Sequence, residues 1–249
     1  MAHPPRILTI AGSDSSGGAG IQADIKTITM LGGYAMTAVT AVTAQDTTGV
    51  HAVAVLSPEL VAAQIDACIG DIGVDAVKIG MLGSAAIADI VAERLAGLTV
   101  PIVFDPVMVA TSGAALADAE TTAAFERLIA LATLVTPNLP ELAALGGEAR
   151  LAGRARAVLV KGGHGAGEML IDRLIGAGGE VARWQNARID TRHTHGTGCT
   201  LAAAIATGLG EGMALSDAIA RARGYVRGAI AAAPGFGKGH GPLGHGRQG

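Results

Sequence analysis

The turn His195-Gly196-Thr197-Gly198-Cys199-Thr200 is the part of this sequence best suited to chemistry. It stands directly before an Ala-rich stretch that reads as a helix. Closely spaced glycines let the backbone curl, so the N–H groups of Gly196, Thr197 and Gly198 can point at one place. A helix N-terminus adds positive potential there, which suits a phosphoryl group in transfer. The same position would lower a thiol pKa and leave Cys199 partly as thiolate. The plainer alternative is a glycine turn beside a buried structural cysteine. Lys161-Gly162-Gly163-His164 ends an apolar run, where an ammonium can sit on phosphate oxygens while glycines permit close backbone approach. A surface lysine before a turn is the competing reading.

Three further groups carry oxygen and amide chemistry. Thr136-Pro137-Asn138-Leu139-Pro140-Glu141 places an amide and a carboxylate three residues apart at a helix start. Glu141 there can hold Mg²⁺, directly or through water, or simply satisfy the helix dipole. Asp105, before Pro106, is a second candidate for magnesium or its water, or else opens an Asx turn. At the other end of the chain, the Gly12–Gly20 loop with Asp24, and Gln45 after Thr43-Ala44, offer neutral amide and carboxylate recognition. A primary amide pairs a donor with an acceptor, matching one edge of an aminopyrimidine; a solvent-facing loop glutamine is the alternative.

Other chemistries fail on spacing. Neither Gly-rich loop spells GxGxxG in a strand–turn–helix context, and Lys26-Thr27 lacks the glycine frame of a P-loop. His193, His195, His240 and His245 fit no standard tetrahedral zinc spacing. With six aromatics (one Trp, two Tyr, three Phe) and a net charge of −3, the chain lacks both the stacking surface and the basic footprint of a nucleic-acid binder. Two cysteines cannot build a disulfide framework, and no window approaches a membrane span or a signal peptide, so a cytoplasmic protein is expected. A Cys–His acyl transferase or hydrolase using Cys199 with His195 or His164 predicts ATP-independent activity. A non-catalytic binding module predicts no transfer at all.

These groups need a scaffold, and the chain supplies one. Only 16 % of its 249 residues are charged and half are hydrophobic, which argues for a compact core. Short β-branched runs at Ile7–Ala11, Ala35–Ala44, Ala76–Ile79, Ile102–Asp105, Leu134–Thr136, Ala157–Lys161 and Gly167–Asp172 alternate with helical stretches. Those stretches are Ile21–Leu31, Pro58–Ile69, Ser84–Leu95, Ala119–Leu131, Cys199–Leu209 and Ser216–Ala232, with Ser84 as a cap. Continuous apolar strands separated by helices mean an α/β fold, a mostly parallel sheet with helices on both faces. The chain is read as a single domain over residues 1–249, with a Gly-rich tail from about 234 that is flexible or folded against a site. Ligands bind such sheets at the carboxyl ends of the strands, where the residues above fall.

Ala11-Gly12-Ser13-Asp14-Ser15-Ser16-Gly17-Gly18-Ala19-Gly20-Ile21-Gln22-Ala23-Asp24-Ile25-Lys26-Thr27 resembles the opening signature of the hydroxymethylpyrimidine/phosphomethylpyrimidine kinases of thiamine biosynthesis, in the ribokinase-like superfamily. Matches continue in order through Thr43-Ala44-Gln45, Lys78-Ile79-Gly80-Met81, Asp105-Pro106-Val107-Met108, Thr136 to Glu141, Lys161 to His164, Thr194 to Thr200 and Gly239-His240-Gly241-Pro242. The resemblance implies phosphorylation of 4-amino-5-hydroxymethyl-2-methylpyrimidine and then of its monophosphate, using ATP and Mg²⁺. It implies that Gln45 reads the pyrimidine edge, with Gly12, Asp24, Met81 and Val107 around the ring. Thr136, Asn138, Lys161 and Thr191 are implied for ATP, and Asp105 and Glu141 for magnesium. Gly196, Thr197 and Gly198 are implied as the anion hole, with Cys199 where sugar kinases of the superfamily use an Asp base. A homodimer is implied too. A pyridoxal or pyridoxine kinase on the same scaffold is the alternative. Two departures stand out: residues 146–157 are fewer than the family usually carries there, and Arg192-His193 precedes Thr194 where relatives vary.

Overall fold

In the computed structural model, which describes residues 3–109, 113, 116–164 and 167–246, the apolar runs form one nine-stranded sheet. In chain order the strands are β1 (Arg6–Asp14), β2 (Tyr34–Gln45), β3 (Val50–Val55), β4 (Ala76–Ile79), β5 (Ile102–Phe104), β6 (Leu134–Val135), β7 (Val158–Val160), β8 (Met169–Gly176) and β9 (Gly179–Ala187). The helices are α1 (Gly20–Met30), α2 (Pro58–Ala67), α3 (Ala85–Leu95), α4 (Ala119–Leu131), α5 (Leu139–Ala144), α6 (Glu148–Ala152), α7 (Thr197–Gly210) and α8 (Leu215–Ala231). The spatial order is β3-β2-β1-β4-β5-β6-β7-β8-β9. Pairings from β2 through β7 are parallel, while β3, β8 and β9 join antiparallel at the two ends.

Side chains alternate between two cores, one on each face. Leu8, Val77, Phe104 and Val135 pack with α2 to α6, whereas Ile7, Ala76, Val103 and Leu134 pack with α1, α7 and α8. Burial on both faces explains why these strands read as unbroken apolar runs. Every residue of α7 from Thr200 to Leu209 is buried, and its alanines let it lie close to both the sheet and α8. The helix starts follow capping chemistry. Ser57, Ser84 and Asp118 accept from the backbone N–H three residues on, at the heads of α2, α3 and α4.

Three differences from the sequence reading matter. β1 continues through Gly12 and Ser13 to Asp14, because β2 keeps pairing with it as far as Thr43. β3 and β9 escaped notice: β3 is exposed at every residue but Val50, and β9 is largely polar, so neither carries the apolar signal of a core strand. The short segment after Leu145 still holds a five-residue helix, α6, which buries Leu151. The tail is folded against the rest of the chain as far as the described residues reach, to residue 246. His240 N–H donates to Thr47 O, Gly244 N–H to Ala229 O, and His245 is buried beside Thr200.

Candidate active site

The parallel strands deliver the predicted residues along one edge of the sheet. In spatial order these are Gln45 from β2, Gly12 and Asp14 from β1, Gly80-Met81 after β4, Asp105 and Val107 after β5, Thr136 to Asn138 after β6, and Lys161 after β7. The turn into α7 lies above this row.

At that turn Gly196 takes φ +86°, and a Cβ on it would fall 1.9 Å from Gly18 O, so only glycine fits under the loop that follows β1. Thr200 N–H makes the first helical bond, to Gly196 O, while Thr197 N–H is spent on Thr194 O. The anion hole therefore differs from expectation. Thr197 contributes no open amide, whereas the amides of Gly196, Gly198 and Cys199 have no backbone partner among the described residues, the last two of them in the first turn of α7. Lys161 Nζ stands 2.6 Å from Asp105 Oδ1 and 3.9 Å from Glu141 Oε2. A Cβ on Gly198 would lie 3.5 Å from that ammonium and 3.3 Å from Asp105 Oδ2. One cation, one carboxylate oxygen and two amides thus meet at the start of α7. Burial alone would lower the Lys161 pKa, but Asp105 and Glu141 outweigh it and hold the ammonium charged.

The neighbouring residues are committed to supporting this group. Thr136 is buried and donates its hydroxyl to Asp105 Oδ1, so its side chain orients Asp105 instead of meeting a nucleotide. Asn138 and Glu141 form a reciprocal capping box on α5: Asn138 Oδ1 accepts from Glu141 N–H, and Glu141 Oε2 accepts from Asn138 N–H. The Asn138 amide oxygen is thereby used up within the protein. Burial pushes the Glu141 carboxyl upward against the pull of Lys161. Thr191 is half-buried, and its hydroxyl accepts from His193 N–H. For magnesium, the fit is reasonable. Asp105 Oδ2 lies 3.3 Å from where a Cβ on Gly198 would stand and Glu141 Oε1 takes no bond within the capping box, a hard-oxygen pair of the kind that holds Mg²⁺ together with phosphates. Among the described residues no group of three or more His, Cys, Asp or Glu could hold a metal without such help.

Cys199 overturns the thiolate expectation. Burial pushes its thiol up to about 11; Lys78 opposes this, while Asp24 and Asp105 add to it. Desolvation wins over the helix dipole here. Asp24, expected beside the ring, is instead fully buried, 2.8 Å from Lys78 Nζ and hydrogen-bonded by Thr9. It lies beneath the cleft and not in its wall. Lys78 itself was passed over as a site residue, although a lysine inside the strand Ala76-Val77-Lys78-Ile79 needs a buried partner and so signals one. Burial alone would lower its pKa, but Asp24, Cys199 and Asp105 raise it.

The other end of the row is neutral. Gly12 lies against Met81: a Cβ there would fall 3.1 Å from Met81 Sδ, and Thr40 donates its hydroxyl to Met81 O. Val107 and Gln45 are half-buried nearby in the strand order. Asp14 Oδ2 sits 2.8 Å from His195 Nε2 and also accepts from Gly18 and Ala19 N–H. His195 entered the sequence reading only as the partner of Cys199 in the acyl-transfer alternative and in the rejected zinc set, yet it joins this loop to the α7 turn. Two surface hollows of about 420 and 370 Å³, beside α6 and between α5 and β8–β9, hold none of these groups. Arg173 and Arg183 in the second are paired with Glu148 and Glu180.

Comparison with known proteins gives the family and the fold. The family model described as phosphomethylpyrimidine kinase matches residues 14–244. The hydroxymethylpyrimidine/phosphomethylpyrimidine kinase of Streptomyces coelicolor is 48 % identical over 98 % of this chain and 95 % of its own length. The ADP complex of Bacillus subtilis pyridoxal kinase superimposes with a TM-score of 0.87 at 34 % identity, covering 97 % of both chains. The phosphomethylpyrimidine kinase of Clostridium difficile gives 0.78 at 38 % identity, covering 91 % of this chain and 99 % of that one. The fold is thus that of the ribokinase-like vitamin kinases, and the chain belongs to the phosphomethylpyrimidine kinase family.

Proposed function

We propose that this protein transfers the γ-phosphoryl group of ATP to 4-amino-5-hydroxymethyl-2-methylpyrimidine and then to the resulting monophosphate, a step in thiamine diphosphate biosynthesis. The observation that carries the reading is the convergence of Lys161 Nζ with the open amides of Gly198 and Cys199 at the start of α7. Phosphoryl transfer asks for positioning and charge stabilisation more than for covalent help from the protein. In the first step the alcohol oxygen bonds to the γ-phosphorus, the bond to ADP breaks, and the alcohol proton leaves. Lys161 and the two amides take up charge on the moving phosphoryl oxygens. Cys199 stands closest by sequence and place to receive the proton, but a thiol near 11 is protonated at neutral pH, so proton loss comes late and goes in part to phosphate. The second acceptor is already an anion and needs no base.

Gln45, Gly12, Met81 and Val107 hold the ring, and Lys161 with Thr191 faces the triphosphate. Mg²⁺ held by Asp105 and Glu141 would draw charge off the phosphate oxygens. Bound ADP in the pyridoxal kinase relative supports ATP as co-substrate. The likeness to that relative keeps a kinase of pyridine alcohols of the B6 type as the alternative reading. The exposed Val53 and Val55 on the edge strand β3, with exposed Val42 on β2 beside it, support a homodimer formed through β2 and β3. Two free cysteines suit a reducing cytoplasm, with residues 1–249 working as one unit. Mass detection of mono- and diphosphate from the pyrimidine alcohol, ATP and Mg²⁺ tests the reading. Absence of both products would overturn it.

A further inference from the structure

His195 is a buried imidazole that phosphoryl transfer leaves without a task, and three parts of the chain converge on it. A Cβ on Gly18 would fall 2.3 Å from His195 Cδ2, so the loop after β1 closes directly on the ring. From the tail, Gly241 O accepts the His195 N–H at 3.2 Å. Asp14 Oδ2 lies 2.8 Å from His195 Nε2, and Gln45 Nε2 lies 3.5 Å from that same ring nitrogen.

The protons in this cluster can be counted. Burial would raise the Asp14 carboxyl, but hydrogen bonds from His195, Ser16 and Ala19 outweigh it and hold it below the ordinary value. The carboxylate is then an acceptor only, so the ring nitrogen facing it carries its hydrogen. An N–H cannot accept from the NH₂ of Gln45, and two N–H groups set face to face repel. Thr43 supplies the remaining condition. Its hydroxyl is 3.1 Å from Ser13 O and 3.2 Å from the Gln45 amide, and it has a single hydrogen to give. Given to Ser13 O, that hydrogen leaves the Thr43 oxygen free to accept an amide N–H. One orientation meets both conditions, with the amide nitrogen toward Thr43 and the amide oxygen toward His195, where it shares, at 3.5 Å, the single Nε2 hydrogen that Asp14 Oδ2 takes at 2.8 Å.

We propose that His195, fixed by Asp14, is the positioning residue that sets the Gln45 amide, turning its oxygen to the imidazole and its nitrogen to Thr43. The second N–H and the outer lone pair of the oxygen are then presented together to the edge of an amino-substituted nitrogen heterocycle. Because the amide is oriented before the ligand arrives, binding does not have to freeze it. The same turn that cradles phosphate thereby also organises ring recognition. This inference deepens the substrate reading above and rests on it.

The test is steady-state kinetics on the full chain with the pyrimidine alcohol and ATP varied separately, for wild type, His195→Leu, His195→Gln and Thr43→Val, with a melting temperature for each. His195→Leu should raise the KM for the alcohol about 10-fold, the size of one lost hydrogen bond, and leave the KM for ATP unchanged. His195→Gln, whose side-chain N–H can reach Asp14, should restore most of the affinity. Thr43→Val should raise the alcohol KM in the same sense, which keeps the test decisive if His195→Leu does not fold. A merely structural His195 would lower active enzyme and melting temperature without moving the alcohol KM, and that result overturns the proposal. So does a His195→Gln protein no better than His195→Leu, or an equal rise in both KM values. No turnover of the pyrimidine alcohol by wild type would instead overturn the substrate reading, and this proposal with it.

Discussion

The two halves of the site handle charge in opposite ways. Around the ends of β1 and β4 the charged groups are paired off and buried, while Asp46 just beyond β2 is exposed and paired with His51. Asp14 is held by His195 and a ring of amides, and Asp24 is closed against Lys78. The half-buried side chains there that are assigned to the ring, Gln45 and Met81, are uncharged. Around the ends of β5, β6 and β7 the charges are kept together and in reach of the α7 turn. Lys161 sits between Asp105 and Glu141, with 14 % of its side chain exposed. The first arrangement suits a neutral heterocycle, which is recognised by hydrogen-bond direction and shape. The second suits phosphate, which is recognised by charge. The boundary between them runs through Cys199, which feels charges from both sides.

Substitutions can break this division, and the largest effect is expected at its foundation. Lys78→Met strands Asp24 in the core without a counter-charge and should cost about 3–5 kcal/mol in denaturant unfolding; the double variant Lys78→Met with Asp24→Leu should recover most of it. If the single variant unfolds like wild type, the pair is not the floor of the site. Lys161→Ala should cut turnover about 10²- to 10³-fold with little change in the KM for the pyrimidine, since its charge acts on the phosphate half. A rise confined to the pyrimidine KM would merge the two halves.

Cys199→Ala probes the boundary. The first phosphorylation should slow about 10²-fold, and the second, started from the monophosphate, far less. A pH profile sharpens this. The thiol is protonated below about 11, so its thiolate fraction rises roughly tenfold per pH unit toward that value. The wild-type rate with the alcohol should climb with pH over that range, and the alanine variant should stay flat. Gln45→Ala should raise the pyrimidine KM about 10-fold and leave the ATP KM alone. Equal changes in both would place Gln45 outside recognition. The smallest effect is expected at Asp172, whose carboxylate takes Gly162 N–H at 2.8 Å and Arg223 Nε at 2.7 Å, bracing the turn after Lys161 from α8. Asp172→Asn should lower turnover about 2- to 3-fold through a slacker Lys161; an altered pyrimidine KM would argue against that coupling.

Much of the framework was legible because parallel, two-sided burial writes itself as apolar runs, and β4, β5, β6 and β7 stood out in the chain that way. The cap at Ser84 was equally plain. β3 and β9 were not, since strands that bury little carry no periodic signal. Within the site, residue types marked out Lys161, Asp105 and the glycine turn, and these are together in the fold. Individual roles were less legible. Thr136 and Asn138 look like ligand groups in a string of letters, yet their oxygens are spent on Asp105 and on the α5 cap.

Composition, the order of strands and helices, and the glycines around Gly196 and Gly18 determined by themselves a mostly parallel α/β scaffold with a candidate anion site at one helix start. Those are local or periodic properties, and adjacent residues suffice to express them. Tertiary structure alone decided the state of each charged group. The Cys199 thiol rises toward 11 against its helix dipole, Asp24 turns away from the cleft to meet Lys78, and His195 links Asp14 to Gln45. Desolvation and pairing depend on what comes within a few ångströms from 54 to 181 residues away, and no local pattern encodes those neighbours.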